Sequence, residues 1–134
     1  RATARGALAE IIVLDQFPRN LYRDDARAFA SDPVGLVAAE EALVKKVDQE
    51  VSEAERVFLY LPFEHSENLD DQRRSIDLHR RCDPYPGSER SLDYAIRHFM
   101  VIKSFCRFPH RNKVLGREST PREITFLETH EKGF

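Results

Sequence analysis

The chain contains no tryptophan, one methionine, two cysteines and five glycines in 134 residues. Two cysteines, Cys82 and Cys106, make neither a disulfide framework nor a CxxC motif, so both read as reduced thiols, Cys106 packed in a helix and Cys82 near a loop. The glycines stand singly, which leaves no phosphate-cradling loop. Apolar runs such as Ile11 to Leu14 fall far short of the roughly 20 residues that span a bilayer. The first residues do not read as a signal peptide. Charge of one sign is missing too: 21 Lys and Arg stand against 23 Asp and Glu, a formal net charge of −2. A chain that works on nucleic-acid phosphates carries a basic excess or stripe. These absences lead to the expectation of a cytoplasmic protein with no membrane span and no nucleic-acid partner.

What is present is helical periodicity. Ala4 to Phe17 places Leu8, Ile11 and Ile12 at helical spacing, with Pro18 expected to stop the helix. Asp32 is expected to cap a second helix with Pro33 at its first position. Ser52 and Glu55 form a capping box for a third, which carries Val57, Phe58 and Leu61 and is ended or kinked by Pro62. Asn68 or the adjacent acidic residues start a fourth. Asp83-Pro84-Tyr85-Pro86-Gly87 is a loop, and a fifth helix follows with Ile96, Phe99, Met100 and Ile102 on its apolar face. Thr120-Pro121-Arg122-Glu123 opens a sixth, running to His130. Strand signals do not recur. Short connections favour antiparallel neighbours, and like helices recur at about 36 residues, near the tetratricopeptide period. The fold expected is therefore all-α, one domain of antiparallel helix hairpins in a TPR-like right-handed array. The core is expected to hold Leu8, Ile11, Ile12, Val57, Phe58, Leu61, Ile96, Phe99 and Phe126, with His79 and His130 in solvent.

Three segments carry polar residues beside prolines: Leu14-Asp15-Gln16-Phe17-Pro18-Arg19-Asn20, Leu61-Pro62-Phe63-Glu64-His65-Ser66-Glu67, and Arg107-Phe108-Pro109-His110-Arg111-Asn112. With Ala26-Arg27-Ala28-Phe29-Ala30 and Leu115-Gly116-Arg117-Glu118-Ser119-Thr120-Pro121, they resemble a bacterial family described as TPR-like, domain of unknown function 924. The resemblance covers essentially the whole chain. It implies an all-α fold and a further N-terminal segment upstream of Arg1, and it brings no activity, substrate or catalytic residue. A core left partly uncovered by that missing segment would favour a homo-oligomer.

The three motifs fall at the ends of the first, third and fifth helices. In an up-down array those ends lie on one side, so Asp15, Arg19, Asn20, Glu64, His65, His110, Arg111 and Asn112 are expected to share one end of the domain. An extra helix over Asp24 to Ala30 would reverse the parity of the first motif. Two arginine forks suit carboxylate or phosphate, which gives a pocket for a peptide or small anion as the leading reading. The same residues also suit an acid–base or metal-assisted enzyme, with His65 or His110 as base and Asp15 or Glu64 orienting it. The plainest alternative is a helix stop with arginines on the helix dipole, or an internal ionic network of Arg19 and Arg111 with Asp15, Glu64 and Glu67, in a structural module without ligand. No HExxH and no paired Glu-x-x-His occurs, so neither metal nor cofactor is expected.

Overall fold

The computed structural model describes residues 3–82, 84–131 and 133. Six helices carry the fold: α1 (Ala4–Leu21), α2 (Asp32–Val44), α3 (Glu53–Glu64), α4 (Leu69–Arg80), α5 (Ser88–Phe105) and α6 (Pro121–Leu127). Three 3₁₀ turns, Ala26–Ala28, Val47–Gln49 and Pro109–Arg111, join them, and no strand occurs among the described residues. The all-α expectation holds. α1 packs on α2 and α3, α3 on α4, and α4 on α5. Polar links show the directions: Arg19 near the end of α1 reaches Asp32 at the start of α2, and Gln72 in the first turn of α4 reaches the Glu64 carbonyl ending α3. The end of α1 thus lies against the start of α2, and the end of α3 against the start of α4. The segment Asp24 to Ala30 adds one 3₁₀ turn and no helix, so the parity of the first motif stands.

The capping signals explain where helices begin. Ser52 and Glu55 exchange both hydrogen bonds of a capping box, as do Thr120 and Glu123. Asn68 accepts from Asp70 and Asp71 at the start of α4. α6 ends at Leu127, short of His130, which sits half-buried against Phe126. Asp83 of the proline-rich loop lies outside the described residues. Gly87 at φ 94° adopts the left-handed turn that starts α5, a conformation that disfavours any Cβ.

Pro18 does not stop α1, which continues to Leu21. A proline inside a helix leaves the carbonyl four residues back without its N–H donor. Here that carbonyl belongs to Leu14, and the Ser31 hydroxyl donates to it at 3.0 Å. Ser31 also takes the cap position expected for Asp32, and Asp32 becomes the first helical residue. Its carboxylate is thereby released for another use.

The main core gathers Leu8, Ile11, Ala39, Ala42, Leu59, Tyr60 and Phe63; a second cluster holds Val101, Ile102 and Phe108. Leu8 and Ile11 are buried as expected. Ile12, Val57, Leu61, Ile96, Phe99 and Phe126 are half-buried, and Phe58 is exposed. Residues 57–63 are apolar throughout, so periodicity alone does not choose the face; packing turns Leu59, Tyr60 and Phe63 inward. His79 is buried rather than solvated: its ring stands edge-on to Tyr60 and its Nδ1 donates to the Ser75 carbonyl. Cys106, expected inside a helix, is the exposed C-cap of α5 in a left-handed conformation.

Candidate functional site

The C-terminal parts of α1 and α3 and the chain after α5 meet at one end of the bundle. Asp15 is fully buried on α1, and its Oδ1 lies 2.7 Å from His65 Nδ1. Gln16 donates to the other carboxylate oxygen at 2.6 Å, and Arg19 stands 3.5 Å away. Burial opposes ionisation of Asp15, yet the His65 ring and the Arg19 guanidinium hold its carboxyl below the ordinary range. Burial pushes the His65 imidazole down, against the pull of Asp15. The pair is thus an aspartate accepting from a neutral imidazole, which fixes the proton on Nδ1 and leaves the lone pair on Nε2.

Several bonds hold His65 in register. Gln72 donates to the carbonyls of Glu64 and Ser66, and Arg111 Nη2 donates to the His65 carbonyl at 2.9 Å. Glu67 accepts from the Phe108 backbone N–H and pairs with Arg117, which ties the second motif to the third. The first and third motifs meet at Asp32: Arg19 forms a two-pronged bond to it at 2.7 and 2.9 Å, and Arg111 reaches it at 3.5 Å. Arg111 is sandwiched between Phe29 and Phe108, its guanidinium carbon 4.4 and 4.6 Å from the ring centres. Burial lowers its pKa to about 10. Arg19 thus keeps the expected contact with Asp15, while both arginines engage Asp32 in place of the Glu64 that the sequence reading named.

Among the described residues Glu64 has no ion-pair partner, and its buried Oε1 has no hydrogen-bond partner. Burial, helped by the nearby Asp15 charge, raises its pKa to about 8, so it is protonated at neutral pH. Beside it lies His98, on the inner face of α5, its ring centroid 6.0 Å from that of His65. Its Nδ1 donates to the Tyr94 carbonyl at 2.7 Å, and burial lowers its pKa to about 3. One ligand atom each from Glu64, His65 and His98 lies within 4.8 Å of the other two. His110 stands at the edge, packed on Phe108, with a pKa lowered by burial to about 4.

A cavity of about 360 Å³ opens beside this cluster, walled by Phe29, Asp32, Pro62, His65, Glu67 and Arg111 among others. Asp15, Arg19, Glu64, His65, His110 and Arg111 are therefore neighbours in one region. Asn20 and Asn112 are not. Asn20 is exposed and bonds the Gln16 carbonyl of its own helix. Asn112 is buried in a structural knot with Ser119, Glu123 and Arg117. Sequence reasoning missed His98 and Asp32. His98 shares a helical stripe with the buried Ala95 and Ile102, which marks a titratable group on an apolar face; Asp32 was hidden by its apparent duty as a cap.

Fold and site together define an all-helical protein whose proline-bearing helix ends collect buried acid–base groups beside a cavity. A family model described as bacterial protein of unknown function, DUF924, matches residues 1–131, and the chain belongs to that family. A solved structure of a protein of unknown function from Agrobacterium tumefaciens is 43% identical, with a TM-score of 0.87. That similarity covers 94% of this chain and 69% of the other. No curated protein matches significantly. No helix among the described residues is long and apolar enough to cross a membrane.

Proposed function

We propose that the chain is a small enzyme that takes a small polar molecule into the cavity beside His65 and Arg111 and acts on it with the Asp15, Glu64, His65 and His98 cluster. The observation that carries this reading is the buried Glu64 carboxyl, whose Oε1 has no hydrogen-bond partner among the described residues, next to an imidazole oriented by Asp15. An unsatisfied buried polar group costs about 1–3 kcal/mol. A domain that served only as scaffold would gain by filling that place with an apolar side chain. Perturbed, desolvated titratable groups beside a concave opening are the usual makings of an active site.

A non-catalytic pocket for a small anion is the second reading, favoured by the Arg111 guanidinium in the cavity wall. Against it, both arginines are already engaged by carboxylates, Arg19 by Asp32 and Asp15 and Arg111 by Asp32. A screen of small polar and anionic metabolites separates the two. A ligand at about 100 times its dissociation constant stabilises by roughly 2.7 kcal/mol, a shift of a few degrees in melting temperature. The enzyme reading expects at least one such compound to be converted, followed by mass spectrometry, and conversion to be lost in His65→Ala. A compound that binds wild type and is recovered unchanged supports the second reading instead. No shift and no conversion across the screen would overturn both.

A further inference from the structure

We propose that Glu64, His65 and His98 form a binding site for one divalent first-row transition-metal ion of the zinc or iron(II) kind. This deepens the reading above and rests on its premise that the cluster is the functional site. The expectation from sequence was no metal, because no spaced ligand motif exists. The ligands instead come from the end of α3 and the middle of α5, which only the fold brings together.

Three independent features point the same way. The first is convergence: the three ligand atoms lie within 4.8 Å of one another. A tetrahedral ion with bonds of about 2.1 Å spaces its ligands roughly 3.4 Å apart, so rotations of the Glu64 and imidazole side chains close the gap. The second is orientation. Histidines that bind metals usually donate the other ring N–H to a carboxylate or a backbone carbonyl. His65 does so to Asp15, and His98 to the Tyr94 carbonyl. Each ring is thus anchored at Nδ1 in the manner of a metal-binding histidine. The third is the Glu64 carboxyl, 3% exposed, with an oxygen that finds no partner among the described residues. A cation supplies the missing partner.

The donor set also discriminates among ions. Two imidazoles and one carboxylate suit zinc or iron(II), whereas magnesium and calcium prefer oxygen alone. Three protein ligands leave a coordination position open, as catalytic zinc sites do. His65 belongs both to the ligand set and to the cavity wall, which puts the ligand set beside the space a substrate would fill. Two carboxylates, Asp32 and Asp15, balance the positive charge of Arg19 and Arg111 beside this place, since Arg19 lies 3.5 Å from Asp15 as well.

Metal-depleted protein titrated with cobalt(II), a spectroscopic probe for such sites, tests the inference without any substrate. The expected result is visible d–d absorption saturating at one ion per chain, displaced by zinc. His98→Ala should abolish the bands, and Asp15→Asn should weaken binding by roughly 10- to 100-fold through loss of the imidazole's anchor. His130→Ala, outside the ligand set, should bind as wild type does. Should His98→Ala fail to fold, Glu64→Gln serves as the second ligand variant, with the same loss expected. Folded wild type without bands, or bands that survive in both folded ligand variants, would overturn the metal site. If cobalt fails to bind while a metabolite is still converted, this inference falls and the proposed function stands. If cobalt binds while no metabolite is bound or converted, the metal site stands and the catalytic reading falls.

Discussion

Asp15 and His65 are separated by 50 residues in sequence and by 2.7 Å in space. That single bond joins α1 to the end of α3 and gives one imidazole a fixed tautomer. Asp15 is 2% exposed, so its charge survives only through the groups around it. Removing it leaves the largely buried His65 N–H without its acceptor, which typically costs about 1–3 kcal/mol. Asp15→Ala is therefore expected to lower unfolding free energy by an amount of that order, read by urea denaturation. A loss of less than about 1 kcal/mol would mean that the bond adds little to the fold.

The face of α3 is the next test. Phe63 is fully buried in the main core, whereas Phe58 on the same helix is 39% exposed. Phe63→Ala should cost about 3–5 kcal/mol and Phe58→Ala far less. Equal losses would place the buried stripe where the sequence reading put it.

That stripe shows what the sequence made legible. Helix starts announced themselves through local chemistry: Ser52 with Glu55, Thr120 with Glu123, and Asn68 all cap as their types require. Helix parity then followed from connection lengths, and with it the neighbourhood of Asp15, Arg19, Glu64, His65, His110 and Arg111. What stayed hidden depends on packing between distant segments. A run as uniformly apolar as residues 57–63 carries no phase. His98 looked like one histidine of five, because its partners lie on another helix. Asn20 and Asn112 were grouped with the site by position in their motifs, but side-chain direction assigns them elsewhere.

Asp32 shows how one carboxylate can serve two cations. It accepts two bonds from Arg19 and faces Arg111 at 3.5 Å, close to the cavity. Asp32→Ala would leave two largely buried guanidinium groups short of a partner, at about 1–3 kcal/mol. A double-mutant cycle of Asp32→Ala with Arg19→Ala should return a favourable coupling energy, since the two residues share a two-pronged bond. Additive losses would show that the pair does not act together.

Acid should weaken the fold through His79. Its ring is buried against Tyr60, away from the candidate site, and burial holds its pKa below the ordinary 6.5. Above pH 6.5 the imidazole is neutral in both folded and unfolded chains and contributes no pH dependence. Below it the unfolded chain takes up the proton and the folded chain does not, so stability falls as pH drops. His79→Phe keeps an edge contact to Tyr60 and has no proton to gain. Its stability should fall less than that of wild type between pH 7.5 and 5, measured by urea denaturation at each pH. Parallel curves would show that His79 titrates alike in both states.

The interrupted turn of α1 supports a prediction that needs two substitutions. Pro18 withdraws the N–H that the Leu14 carbonyl would otherwise receive, and the Ser31 hydroxyl donates there at 3.0 Å. Ser31→Ala should therefore destabilise by about 1–3 kcal/mol, the cost of an unsatisfied polar group inside the fold. Pro18→Ala restores a backbone donor at the same carbonyl. In that background the Ser31 hydroxyl is no longer the only donor, and Ser31→Ala should cost much less. Thermal denaturation of the two single variants and the double variant measures the difference. If Ser31→Ala is equally costly with and without Pro18, the hydroxyl is not standing in for the missing N–H. The coupling has a wider meaning for the site, because Ser31 sits next to Asp32 and Pro18 next to Arg19. Seating the serine on α1 sets the start of α2 so that Asp32 meets Arg19, and the double variant should keep that ion pair while the Ser31→Ala single variant loosens it.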